Sequence, residues 1–203
     1  MKACLAIISI LLSFTILVFL LNTGYATGQD HKWTIIPSSR VGTITRQSTK
    51  AEVKELYGEN NITSCPISVG EGRVKQGLCV FGGKKNELLI EWKKNGTPKR
   101  ITIFGMNTDW KTKSGITVGT SLDKVEEVNG KPFLLTGFGW DYAGRTVSWE
   151  DGLLPSELQL EFEPSTTLPQ EKERQVMGDQ KIRSDYTIIQ KKGLKVETMF
   201  IRW

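Results

Sequence analysis

The sequence predicts an α+β fold of two tandem units, each a short helix packed on an antiparallel sheet. One observation is a repeat: residues 44–58 align without a gap with residues 116–130, at a constant offset of 72. Ile44/Ile116, Thr45/Thr117, Val53/Val125, Glu55/Glu127 and Gly58/Gly130 are identical pairs. Another is that both copies carry helix signals. The last is that the stretches after each copy alternate apolar and polar residues or carry turn dipeptides, the marks of half-buried strands and hairpins.

The chain opens with Lys2 ahead of an apolar run of 17 residues at 5–21, followed by Gly24-Tyr25-Ala26. A charged start, an apolar middle and small residues at the −3 and −1 positions match a secretory signal cut after Ala26, which makes residues 1–26 the signal peptide. The run is near the lower limit for crossing a bilayer, so an uncleaved N-terminal anchor is the alternative. Cys4 precedes the apolar run and cannot serve as a lipid-attachment site behind it. The expected destination is the periplasm or the medium, with any other membrane contact peripheral. Residues 27–40 are expected as an N-terminal extension, 41–106 as the first helix-plus-sheet unit and 114–203 as the second.

In the first unit, Thr49 and Glu52 have capping-box spacing. Val53, Leu56 and Tyr57 form one apolar stripe, and Gly58 stands where a left-handed C-cap belongs. Cys65 and Cys79 remain after processing. Two cysteines in an oxidising compartment are expected to form a disulfide, and closing a loop of about 15 residues contributes about 3 kcal/mol in the chain-entropy model. The glycine-rich segment between them reads as a hairpin. Residues 87–92 and 100–104 read as two strands joined at Asn95-Gly96.

In the second unit, Ser121 caps a helix that carries Val125 and Val128 and ends at Gly130. A hairpin is expected between Trp140 and Trp149, turning at Ala143-Gly144-Arg145. Residues 158–163 alternate as a half-buried strand whose expected partner is 194–201, and the polar stretch 164–185 reads as a long loop.

Gly119-Thr120-Ser121-Leu122-Asp123-Lys124-Val125, closing in Asn129-Gly130-Lys131-Pro132, resembles the signature of the small outer-membrane assembly lipoproteins of the SmpA/OmlA type. Two such units in tandem are similar in plan to the secreted β-lactamase inhibitor proteins. Residues 115–142 also resemble a group of exported bacterial proteins with no assigned activity. The resemblance implies a fold of helix-on-sheet repeats and carries no ligand-contacting residue with it.

Catalysis is not expected. His31 is the only histidine, so no Ser-His-Asp or Cys-His arrangement is available from a fixed position. No phosphate-cradling loop or zinc-ligand spacing occurs, and neither cofactor nor metal is expected. Paired carboxylates remain open to a hydrolase, with Asp141, Glu150 and Asp151 the acids set among aromatics. Residues 31–106 hold 13 Lys/Arg against 6 Asp/Glu, and residues 107–203 hold 13 against 15. A basic first half suits an anionic lipid, an acidic polymer or an acidic protein face, or is simply a solvated surface. Export leaves nucleic acid out of the expected partners.

The candidate binding residues are Trp140, Asp141, Tyr142, Arg145 and Trp149, because aromatic and arginine side chains make interface hot spots. Trp140 and Trp149 can equally face inward as core, with Tyr142 and Arg145 expected nearer the surface; Trp92 and Trp203 read as core. The expected function is an exported, non-enzymatic module that binds another envelope or secreted protein. The alternatives are a secreted enzyme inhibitor or a carboxylate hydrolase.

Overall fold

The structure is a computed structural model and describes residues 32–203. The expected signal at 1–26 and His31 lie outside the described residues. The described chain begins with three short strands, β1 (Thr34–Ile36), β2 (Arg40–Val41) and β3 (Ile44–Thr45). Ile35, Val41 and Ile44 are fully buried. The segment expected as an extension therefore enters the core; strands of two or three residues are too short for period-two alternation to register.

Helix α1 (Lys50–Tyr57) forms the expected capping box: Glu52 N–H donates to Thr49 Oγ1 at 3.2 Å and Thr49 N–H to Glu52 Oε2 at 2.7 Å. It stops at Gly58, whose φ of 80° is positive as expected but whose ψ of 137° lies outside the left-handed helical region. Strands β4 (Ile62–Ser68) and β5 (Val74–Val80) form the hairpin expected around the cysteines. The Cys65–Cys79 disulfide joins Cα atoms 5.8 Å apart. Their ladder partners are Gly77 and Thr63, so the bridge runs diagonally across the hairpin. Strands β6 (Leu88–Trp92) and β7 (Pro98–Phe104) pair through the Asn95-Gly96 turn, and β8 (Lys111–Thr112) follows.

Helix α2 (Leu122–Asn129) is capped by the Ser121 side chain and ends at Gly130 in the left-handed conformation (φ 79°, ψ −2°). The remaining elements are β9 (Leu134–Thr136), β10 (Thr146–Ser148), β11 (Leu158–Glu163), α3 (Gln170–Arg174), β12 (Lys181–Arg183), α4 (Thr187–Lys191) and β13 (Lys195–Arg202). Residues 164–185 are thus not one long loop: polar composition hid a helical turn and a strand whose Ile182 is buried.

Three sheets result, in the orders β3-β2-β1-β8, β10-β9-β12 and β11-β13-β7-β6-β5-β4. The last is antiparallel throughout, and β11 pairs with β13 as the alternation predicts. The fold is α+β. The capped helix recurs in both halves, but the sheets do not recur in matching form: the first half supplies four strands of the six-stranded sheet and the second half supplies two.

Side chains paired across a ladder share a face. Leu88, Ile90, Ile101, Ile103, Met199 and Ile201 lie on one face, all fully buried. The same hydrophobic core takes in Val53 of α1, Val125 of α2 and Trp110. The opposite face carries Leu89, Glu91, Arg100, Thr102, Phe200, Gln159 and Glu161. Glu91, Arg100, Thr102 and Phe200 are buried there too, so something covers this polar face.

Candidate functional site

The cover comes from two loops distant in sequence. The turn of the β4–β5 hairpin, residues 69–73, meets the β9–β10 connection, residues 137–145. Asp141 Oδ2 accepts from Glu71 N–H at 3.2 Å. Gly70 has φ +87°, and a β-carbon built there would fall 1.9 Å from the Tyr142 hydroxyl oxygen. Only glycine provides both that backbone conformation and that space. From below, Arg100 Nη2 on β7 donates to Ser68 O at 2.8 Å and ties down the end of β4.

The 137–145 loop is held internally as well. Trp140 Nε1 donates to Gly137 O at 3.0 Å, Arg145 N–H to Thr136 Oγ1 at 2.9 Å, and Thr136 Oγ1 also contacts Tyr142 O. Phe162 N–H of β11 donates to Gly144 O at 3.0 Å, so the loop lies along the β11 edge of the large sheet and covers it.

The five candidate residues separate by role. Trp149 is core: it is buried, packs on Phe133 at a centroid distance of 4.9 Å, and donates from Nε1 to Leu158 O at 2.9 Å. Trp140 is half-buried and stacks edge-on against Tyr142. Asp141 is exposed and Tyr142 half-buried. Arg145, expected near the surface, has a side chain only 13% exposed. Its guanidinium lies 4.9 Å from the Tyr142 ring and 4.6 Å from the Phe200 ring, and its Nε donates to Glu161 Oε2 at 2.8 Å. The carboxylate and two aromatic faces favour the cation there over water. The hairpin expected between Trp140 and Trp149 does not form: β10 pairs instead with β9, upstream of Trp140, so Trp140 and Tyr142 lie in the long connecting loop. Trp92 and Trp203 pack against the core while remaining partly exposed.

Sequence reasoning missed the charge cluster beneath the clamp. The Glu91 side chain is 5% exposed and lies 2.8 Å from Lys99 Nζ, 3.4 Å from Arg100 Nε and 3.7 Å from Lys75 Nζ. Burial pushes its carboxyl upward, but the Lys99 hydrogen bond and the charges of Arg100, Lys99 and Lys75 outweigh burial and leave it below the usual range. The strands that carry Glu91 and Arg100 were visible in the sequence through the Asn95-Gly96 turn; the approach of Lys75 was not.

Beside the clamp, Trp140 and Phe138 line a cleft of about 390 Å³ with Glu161, Glu163 and Glu197. Burial first, then the charges of Glu163 and Glu161, pushes the Glu197 carboxyl above its usual range. Lys192 is almost wholly buried on its far wall, paired with Glu173 and 5.1 Å from the Phe138 ring. Among the described residues, no group of three or more His, Cys, Asp or Glu side chains is placed to hold a metal ion, and no helix is long and apolar enough to cross a membrane.

No protein-family model matches the chain, and comparisons with curated proteins and with solved structures find no match.

Proposed function

We propose that this protein is a non-enzymatic binding module of the envelope or secreted space, and that it engages another protein through the surface made by residues 69–74 and 138–142. One observation carries the reading: two loops from opposite halves of the chain are locked together by the Gly70–Tyr142 contact and the Asp141–Glu71 hydrogen bond. A loop pair fixed in this way loses little further conformational freedom when a partner docks, so more of the contact energy appears as affinity. Trp140, half-exposed, and Val74, 60% exposed, give the clamp an apolar tip. Inhibition of an enzyme is the narrower form of the same reading, because a rigid loop is what fills a cleft. The signal-like start and the disulfide support an exported setting.

The test is a cross-linked pull-down of the tagged protein from its native envelope and medium, with Trp140→Ala and Gly70→Ala run beside the wild type. The expected outcome is a partner captured by the wild type and lost in both variants while their folds persist. A partner retained by both variants, or none captured, overturns the assignment of this surface. A hydrolase is favoured by one observation, the carboxylates beside Trp140 in the cleft. Turnover of chromogenic glycosides or esters that disappears in Glu197→Gln would replace the binding reading with it.

A further inference from the structure

We propose that the cations gathered around Glu91, together with Arg202, form a docking stripe for an extended acidic peptide segment of the partner. This inference rests on the protein-binding reading and names the chemistry of its second contact. One buried carboxylate holds three cations within ion-pair distance, Lys75, Lys99 and Arg100, which leaves two positive charges in surplus. Arg202 adds a third. It stands directly opposite Arg100 in the β13–β7 ladder and is exposed; its backbone N–H donates to Glu157 O at 2.9 Å, while its guanidinium makes no hydrogen bond or ion pair among the described residues. Like charges placed opposite each other on neighbouring strands are destabilising. The fold retains the pair where an external anion would relieve it.

The accessible charges face outward. Lys75 and Lys99 are 61% and 53% exposed, so their ammonium groups reach solvent while Glu91 anchors them from beneath. Arg100 itself is buried and its Nε makes no hydrogen bond, so it adds positive potential to the stripe more than contact. The stripe crosses β5, β6, β7 and β13. Three inter-strand steps make its width about 14 Å. That is too wide for one carboxylate or phosphate. On an extended chain, side chains of one face recur about every 6.7 Å, so two or three acidic residues span it. Exposed Glu71 and Asp141 lie at the clamp a turn away from Lys75, and a broad anionic membrane would meet them as repulsion where a single narrow chain would not.

The test titrates the purified protein with hexaglutamate by calorimetry, with separate arms of inorganic phosphate and of phosphatidylglycerol vesicles. The expected result is hexaglutamate binding that weakens steeply between about 50 mM and about 500 mM salt, because exposed charges are screened. Arg202→Gln should weaken it by about tenfold, the worth of one charge-assisted contact. Arg202→Lys should restore part of the loss, and Lys191→Gln, an exposed control on α4, should change nothing. Unchanged thermal midpoints for these exposed positions keep the comparison clean. The inference is overturned if hexaglutamate fails to bind, if it binds Arg202→Gln as well as wild type, or if vesicles or phosphate bind more tightly. Because no partner is needed, the titration fails independently of the pull-down: partner capture without peptide binding leaves the binding module and removes the acidic segment.

Discussion

Gly70 and Gly72 sit two residues apart in the same turn, both with positive φ, at +87° and +66°. Around Gly72 a β-carbon would meet open space, whereas at Gly70 it would strike Tyr142. The pair therefore separates backbone strain from lost contact. Gly72→Ala is expected to cost about 1 kcal/mol, the strain alone. Gly70→Ala adds displacement of the Tyr142 ring and is expected to cost about 2–4 kcal/mol. Chemical denaturation of both variants checks the difference; equal losses would mean the clamp holds nothing in place. This contact was not legible in the sequence. Gly70 reads as an ordinary turn glycine and Tyr142 as one aromatic among several, and only folding brings them together. Asn129 was hidden for the same reason: fully buried, it donates to Lys131 O and Trp149 O and accepts from Leu154 N–H.

Elements whose pattern is local were legible. The β6–β7 hairpin, the strands β11 and β13, and both capped helices announce themselves through alternation, an Asn-Gly turn and Ser/Thr caps. Elements of two or three residues, such as β1 and β8, carry too few positions to show a period and are made by their neighbours. The β4–β5 hairpin lies between these cases. Its cysteines were readable, but not the fact that its far end folds over the sheet. β4 is an edge strand, paired on one side only, and the disulfide ties it to β5. Removing the bridge with Cys65→Ser and Cys79→Ser is expected to lower stability by about 3 kcal/mol in the chain-entropy model. It should also speed amide exchange in β4 ahead of the core strands. Exchange that stays uniform across the sheet would show that the clamp alone suffices to hold the hairpin.

Over the whole molecule, the carboxylates give a definite pH response. Lys192 holds Glu173 below its usual value, hydrogen bonds from Asn86 and Lys85 do the same for Asp109, and the cations around Glu91 outweigh its burial. Each binds its proton less readily folded than unfolded. The stability they contribute is present above about pH 4.5 and is lost as pH falls through the lower folded values. Glu197 has the opposite sign, raised by burial and by Glu163 and Glu161, and destabilises the fold once it ionises. With Asp185 also lowered, by its hydrogen bond with Arg183, four shifts against one predict a thermal midpoint that drops as pH falls below about 4.5. Glu91→Gln should lower the midpoint at neutral pH and shrink the acid-induced drop. An unchanged acid limb in that variant would place the effect elsewhere.

The seam of the large sheet has a kinetic consequence. The β7–β13 ladder joins residues 100–104 to residues 198–202, with nearly all of the second half of the chain strung between them. Every other ladder of that sheet pairs segments much closer in sequence, and such local pairs can form and break early at small entropic cost. The β7–β13 ladder has to wait for a very large loop to close, and topologies dominated by such closures fold slowly. Refolding should therefore proceed in two stages: hairpins that gain and lose order rapidly, then one late step in which β13 docks on β7 and the covered polar face and the core form together.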